Sequence, residues 1–546
     1  MSETYISSDL KGSLQPINGR GFYTFLFIYF IILLIPAYWL NVYESTDARY
    51  SEIAREMLRS GNFMEPYYNG IKHFHKPPFT YWITALGLQI FGINGLGARF
   101  FSAVFAVLTL IYTRKTAYVL TGDRDKADVS VLVLASSLLF IVVGRVVSTD
   151  IFLTFFSISA LYYIFSQMYV SRSILNAVMA GLMIGLGFLT KGPIIFLFTL
   201  LPFITAKIFD KGHRKVFSFR EILAGLLVFA VVALPWYLYV VSVNEGLLRY
   251  FLYDQTVERV ADSSRFGRNK PFYFFPFVFL VTLFPFVHLF FKDMKKPSGL
   301  KPGWTMYLYV LMPFIVFELS ASKLANYILP FYPAAAIIIA SRMRRAPSAT
   351  VVEYVFMIIS FALIPTPFIV KFMRVDALPI ALAATALFAL TGYCVYKKVF
   401  IKRYLLAVTG YLLMLSLVIN FALILSNDHF KGYENTVNDI KKFDPASEYP
   451  VVLFMMSAPS VSFYFDDVKP VMFGMKRETN FQTEAEISAY YRNTPEGVAE
   501  YLRSLDEYII ITSEKKMPLL KDYTKSICGI ISHRAKDKVV LFCRNY

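Results

Sequence analysis

The sequence predicts a mostly α protein: a bundle of about thirteen membrane-spanning helices followed by a small α/β domain. Three observations carry this. Apolar runs recur between residues 22 and 425, and many are close to the roughly 20 residues that a spanning helix needs. The chain of 546 residues is 56% hydrophobic and 17% aromatic, against roughly 45–50% apolar in a soluble domain. Its mean hydropathy is +0.51. At Asn427 the composition shifts, and short runs of β-branched and apolar residues replace the long ones.

The spans are expected near 22–40, 99–114, 129–145, 150–168, 174–190, 193–208, 222–242, 272–291, 303–319, 326–341, 351–370, 378–396 and 404–425. Residues 1–21 are polar and lead into a full-length span, so an uncleaved first helix is expected rather than a signal peptide. Net charge is +17, from 55 basic and 38 acidic side chains. That excess does not point to nucleic acid, because much of it sits in short loops. Arg114, Lys115, Arg124 and Lys126 fill one loop; Lys207, Lys211, Arg214, Lys215 and Arg220 fill another. Lys292, Lys295, Lys296 and Lys301 follow, then Arg342, Arg344 and Arg345, then Lys397, Lys398, Lys402 and Arg403. With thirteen spans all of these fall on one side. The positive-inside rule then puts the N-terminus in the cytoplasm and the C-terminal domain outside an inner (plasma) membrane.

The expected division is a transmembrane module over 1–426, with amphipathic outer-loop helices at 44–91, and an external domain over 427–546. In that domain Pro450–Met456, Val468–Phe473, Tyr508–Thr512, Ser526–Ile531 and Lys538–Cys543 read as strands, and Pro495–Ser504 as a helix. It shows no glycine-rich phosphate loop and no metal-ligand spacing. The chain shows no internal repeat and no low-complexity tract.

The most informative stretch is 44–82, the first outer loop. Thr46 can cap a helix that begins at Asp47, where an acid favours the helix dipole. Ile53, Ala54, Met57 and Leu58 form one apolar stripe; Arg49, Glu52, Arg55, Glu56 and Arg59 lie off it. This pattern predicts a helix lying along a membrane surface. Gly61 and Asn62 end it, and a second segment runs from Lys76-Pro77-Pro78 to Phe91.

Charges at the outer ends of spans point to chemistry. Asp47, Arg49, Lys76, Asp150, Lys191, Arg259 and Lys323 all map there. A charge near hydrocarbon is costly unless it faces a wet cavity or a partner. Each alone could snorkel or pair structurally. Together, two carboxylates and several cations suggest a site that holds an anionic substrate and abstracts a proton.

T-D-A-R-Y-S-E-I-A-R-E-M at 46–57, F-H-K-P-P at 74–78 and Tyr81-Trp82 resemble the first outer loop of the membrane glycosyltransferases typified by 4-amino-4-deoxy-L-arabinose transferase. Those enzymes are related to protein O-mannosyltransferases and share the GT-C architecture. S-T-D at 148–150, T-K-G-P at 190–193, P-W-Y at 235–237, V-E-R at 257–259 and S-K-L-A-N-Y-I-L-P-F-Y-P at 322–333 match in the same order. The resemblance covers most of 40–340 and thins beyond.

It implies a sugar donor linked to a polyprenyl phosphate, used outside the membrane, and a lipid or glycan acceptor such as a lipid A-type glycolipid. Lys76 matches the family's phosphate-contacting lysine, and Arg259 is a second phosphate candidate. Tyr50 and Tyr327 match aromatic positions that line the cavity, and Asp150 matches the second acidic position. The family's first motif often reads D-E-x-R-Y, whereas here Thr46 precedes Asp47 and only Glu44, one turn away, could compensate. Asp47 is therefore the candidate first acid.

No cofactor is called for with certainty. His73 and His75 flank the loop beside Lys76, with His75 standing where the family often has glutamate. They read either as ligands of a divalent metal or as interfacial polar residues, and no third ligand follows by spacing.

The implied reaction is inverting. An acceptor oxygen attacks the anomeric carbon as polyprenyl phosphate leaves, Lys76 holds the phosphate, and Asp47 or Asp150 is the base or orients the acceptor. Glu44, Arg49, Lys191 and Lys323 complete the substrate-binding set. A protein O-mannosyltransferase of the same architecture is the alternative. A lipid-sugar flippase should instead show mid-span charges and paired broken helices in two halves.

Of three cysteines, Cys528 and Cys543 are symmetric about an expected hairpin turn near Arg534 and Ala535. Opposed positions allow a bridge, and an external domain favours one; two reduced, buried thiols are the other reading. Cys394 lies in a span and is expected to be free.

Overall fold

The computed structural model describes residues 19–44, 46–209, 217–252, 270–292, 300–301, 303, 305–320, 322–343, 349–370, 373, 376–429, 432–465, 471–473, 481–488, 491–492, 494–534 and 538–545. The chain divides into two compact units: residues 1–36 with 102–422, and residues 37–101 with 423–546. The outer loop, expected in one module with the spans, thus groups with the C-terminal segment.

The first unit is helical. Among the described residues eight helices are long and apolar enough to cross a membrane. They start at Arg20, Gly95, Thr149, Ile174, Phe219, Ala349, Ala377 and Tyr404, and the one from Gly95 runs across the boundary between the units. The other expected spans are helical but short or broken. The segment 129–145 is split into Arg124–Ala135 and Leu138–Val143, with Ser137 in extended backbone between them. The segment 272–291 is split into Phe274–Thr282 and Val287–Phe291 around Pro285, whose missing N–H cannot continue a helix. Residues 326–341 begin as a 3-10 turn, Ala325–Phe331, before the helix Tyr332–Arg342.

Thr149–Tyr169 is the most enclosed of the long helices, with nearly all of its residues buried. Beside it runs Ile174–Lys191, which packs closely on Phe219–Val243. Glycine permits that approach. A Cβ on Gly181 would lie 2.1 Å from the Gly225 carbonyl oxygen, so any larger residue would force the two helices apart.

The second unit holds the helices Thr46–Ser60 and Phe79–Phe91, and between them a two-stranded hairpin of β1 (Tyr67–Tyr68) and β2 (Ile71–Lys72). The helix Thr46–Ser60 departs from the surface-lying expectation, because Glu52, Arg55 and Glu56 of its charged face are buried along with Ile53, Ala54 and Met57 of its apolar stripe. Glu52 and Arg55 pair at 2.7 Å, Arg55 donates to the Phe465 carbonyl at 3.1 Å, and Glu56 accepts from the Gly70 amide at 3.2 Å. The amphipathic pattern was real, but the polar side faces protein.

The C-terminal segment forms a six-stranded sheet: β3 (Val451–Phe454), β4 (Val471–Phe473), β5 (Tyr491–Arg492), β6 (Glu507–Thr512), β7 (Ile527–His533) and β8 (Val539–Arg544). The order is β5-β4-β3-β6-β8-β7, parallel from β5 to β6 and antiparallel beyond. On one face Val452, Phe454, Tyr508, Ile510, Val539, Leu541 and Cys543 alternate along their strands and cluster with Val498 and Leu502 of the helix Pro495–Arg503. On the other, Phe443 of the helix Glu434–Phe443 packs on Phe542 at 5.1 Å between ring centres. Central strands covered on both faces read as unbroken apolar runs, which is why β3 and β6 stood out in the sequence.

Cys528 and Cys543 are directly opposed in the β7–β8 hairpin and joined by a disulfide, which settles that choice in favour of the bridge. Cys394 is free.

Candidate functional site

In the helical unit the candidate residues gather around Asp150. Ser148, in extended backbone, caps the helix Thr149–Tyr169 by accepting from the Asp150 amide at 3.2 Å, which leaves Asp150 in the first turn. The side chain is 2% exposed, so its charge must be met locally. The Lys191 ammonium pairs with Oδ1, and the Asn326 amide and the Ser148 hydroxyl (2.9 Å) donate to Oδ2. Asn326 also donates to Ser148 Oγ at 3.3 Å. Lys191 sits in the last turn of its helix, where a cation is favoured, and its ammonium lies 4.5 Å from the ring centre of Tyr327. Three expected residues, Asp150, Lys191 and Tyr327, therefore meet. Asn326 and Ser148 complete the group without having been singled out, although both lie inside the quoted motifs.

Lys323 is held elsewhere in this unit: its ammonium pairs with Glu318 at 2.7 Å and is 3.5 Å from the Pro271 carbonyl. Arg259 lies outside the described residues.

In the second unit Asp47 opens the helix Thr46–Ser60 and pairs with Arg99 at 2.5 Å. Asp47 also accepts from the Tyr43 amide at 3.1 Å. Arg99 is 1% exposed and donates to the carbonyls of Ala37 (3.3 Å), Leu40 (2.6 Å) and Asn41 (2.6 Å). Sequence reading passed over it, yet a lone arginine at the start of an apolar helix is the kind of costly charge that calls for a partner. Glu44 accepts from the Ser460 amide (2.9 Å) and hydroxyl (2.7 Å), so one of its oxygens anchors the start of the helix Pro459–Tyr464. Tyr50 meets Tyr81 edge-on at 5.4 Å.

A cationic group lies in the same unit. The Arg49 guanidinium is 6.0 Å from the Tyr68 ring centre, and the Lys76 ammonium donates to the His75 carbonyl at 3.0 Å. Burial, and then the positive charges of Arg49 and Lys76, hold His73 well below its ordinary value of 6.5. The His73 and His75 rings are 4.2 Å apart. Among the described residues no group of three or more His, Cys, Asp or Glu could hold a metal ion. Neighbouring cations disfavour a third positive charge and favour an anion.

Both acids thus have their lone pairs met by donors and a fixed cation. Such a carboxylate is held in one orientation and orients its partner in turn.

Residues 20–245 match the profile of the family described as dolichyl-phosphate-mannose-protein mannosyltransferase. An uncharacterized protein of Aquifex aeolicus is 28% identical over 475 residues, 80% of this chain and 87% of that protein. The undecaprenyl phosphate-alpha-4-amino-4-deoxy-L-arabinose arabinosyl transferase of Edwardsiella ictaluri is 27% identical over 338 residues, 60% of each chain. This chain therefore spans less than two thirds of that transferase. The crystal structure of ArnT from Cupriavidus metallidurans bound to undecaprenyl phosphate superposes with a TM-score of 0.76 at 19% identity, over 96% of this chain and 98% of that one. This chain is similar in sequence to that arabinosyl transferase, and it shares the fold of the ArnT structure.

Proposed function

We propose that this multi-pass membrane protein is a glycosyltransferase that moves a sugar from a polyprenyl-phosphate donor to a cell-envelope acceptor, a lipid A-type glycolipid or another glycan. The likeness to the arabinosyl transferases and the shared fold support the donor class. The observation that carries the chemistry is the buried group at Asp150, where Lys191 and Asn326 fix the carboxylate and the Lys191 ammonium lies against the Tyr327 ring.

In this reading an acceptor oxygen attacks the anomeric carbon, the carbon–oxygen bond to phosphate breaks, and the electron pair leaves on polyprenyl phosphate. The sugar is inverted. Lys76 and Arg49 meet the leaving phosphate, and a well-aimed donor at such a site is worth about 3–4 kcal/mol. The acids take a positioning role in this reading, which suits an acceptor that reacts through an already ionised phosphate oxygen. The positive charges of Arg49 and Lys76 weigh against a divalent metal at the His73–His75 pair.

The topology proposed with this reaction has thirteen spans, with the N-terminus cytoplasmic and the transfer outside. In it the short and broken helices would be the five spans beyond the eight long ones. Residues 427–546 would then be external, and the Cys528–Cys543 bridge supports that, since disulfides persist in oxidising compartments.

The mannosyltransferase profile over 20–245 favours a second reading, transfer to secreted protein. Mass spectrometry of envelope glycolipids and glycoproteins from cells with and without the gene separates the two. The first reading expects one sugar to vanish from a glycolipid. Loss confined to glycoproteins supports the second, and no change in either overturns transfer.

A further inference from the structure

The last two long helices, Ala377–Tyr396 and Tyr404–Leu425, enclose an apolar groove of about 190 Å³. Leu387, Leu390, Cys394, Ala407, Gly410 and Met414 contribute to its lining. Small residues make the space: a Cβ added at Gly410 would meet nothing within 4 Å. The volume is below the roughly 300 Å³ at which drug-sized pockets begin, but suits a length of hydrocarbon chain.

The residues that join the two helices are strongly basic. Lys397, Lys398, Lys402 and Arg403 fall within seven positions, and no Asp or Glu occurs between Asp376 and Asp428. Lys397, Lys398 and Arg403 are exposed. The Lys397 ammonium lies 5.8 and 5.2 Å from the ring centres of Tyr393 and Tyr396, which are 57% and 76% exposed. Tyrosine and lysine placed so at the end of an apolar helix mark the headgroup level of a bilayer. An apolar groove between two helices whose connection carries exposed cations complements one kind of molecule, an amphiphile with a hydrocarbon chain and an anionic head.

We propose that this groove is a binding site for an anionic glycerophospholipid. One acyl chain lies along Leu387, Cys394 and Gly410, and the phosphodiester meets Lys397, Lys398 and Arg403. The inference rests on the chain spanning a membrane and is independent of the transfer reaction. Three surface cations favour an anionic over a zwitterionic lipid on the order of 100-fold.

The chain supplies its own reporter. Of its three cysteines two are bridged, which leaves Cys394 in the groove as the one thiol. The full-length protein is placed in nanodiscs of phosphatidylcholine, with or without phosphatidylglycerol. Alkylation of Cys394 by a membrane-permeant maleimide is timed, and retained lipid is read by native mass spectrometry. Phosphatidylglycerol should slow alkylation several-fold and remain bound. Lys397→Gln/Lys398→Gln/Arg403→Gln should abolish that difference. Gly410→Leu, which fills open space, should remove the bound lipid. Equal alkylation in both lipids overturns the proposal using the unaltered protein alone. So does retention of phosphatidylglycerol by Gly410→Leu, or preferential retention of added undecaprenyl phosphate.

Discussion

Arg99→Ala removes the counter-ion of Asp47 and the donors to three main-chain carbonyls, those of Ala37, Leu40 and Asn41. Asp47 is 7% exposed and Arg99 1%, so little water can replace what is lost. Removing one partner of a buried pair typically costs about 3–5 kcal/mol, because the other charge stays behind. The carbonyls add to that, about 1–3 kcal/mol for each left dry. For a unit the size of 37–101 with 423–546, 3–5 kcal/mol lowers Tm by roughly 6–20 °C. Arg99→Lys keeps the charge but loses the planar fork that reaches several oxygens at once, so it should fall between wild type and Arg99→Ala. Adding Asp47→Asn to Arg99→Ala removes the stranded charge and should restore part of the loss. The assay is thermal unfolding of the purified protein in detergent, followed by tryptophan fluorescence at one fixed scan rate. A fall of under about 2 °C for Arg99→Ala, or no recovery in the double variant, refutes the argument that Arg99 holds Asp47 in place.

Asp150→Asn should leave Lys191 without its counter-ion and cut turnover more than donor affinity. Asn326→Ala should do the same more weakly, and steady-state kinetics that show only a raised KM for both would contradict the positioning role. Under denaturing, non-reducing conditions one thiol per chain should react with maleimide, and three after reduction; three before reduction would rule out the bridge. His73 should make stability pH-dependent. Its folded pKa is depressed, so the unfolded chain binds the extra proton below about 6.5, and stability present above that pH falls by up to ~1.4 kcal/mol per unit as pH drops toward the folded value. His73→Gln should lack that part of the slope between pH 7 and 5, and identical pH profiles of Tm for the two proteins would show that His73 is not buried neutral.

What the sequence revealed and what it hid have physical reasons. Length and apolarity located the long helices of the first unit, but not where helices break, and gave no sign of the shorter Glu434–Phe443 and Pro459–Tyr464. Ser136-Ser137 and Phe284-Pro285 each interrupt a run that hydropathy averages over. Strands β3 and β6 were legible because both faces are apolar, whereas β5, two residues long, carries no periodicity to detect. The charge pattern of Thr46–Ser60 correctly gave a helix and wrongly gave its surroundings, since a polar face looks the same whether it meets headgroups or Phe465 and Gly70. At the site, Asp150 and Lys191 were found because charges in apolar context stand out, and Tyr327 because it matches an aromatic position of the family it resembles. Asn326 was missed because an uncharged amide gives no such signal until its partner is placed. Arg99 did give the signal, an arginine at the start of an apolar helix.

The transfer reaction is tested most directly on purified protein in proteoliposomes, given an undecaprenyl-phosphate sugar and a phosphorylated glycolipid acceptor. Free undecaprenyl phosphate and the glycosylated product are measured together, and the anomeric configuration of the product is read by NMR. Equal amounts of the two, an inverted anomeric carbon, and loss of both in Lys76→Ala are the results expected. Donor that crosses the bilayer with its sugar bond intact, or turnover by Lys76→Ala at the wild-type rate, would contradict the mechanism.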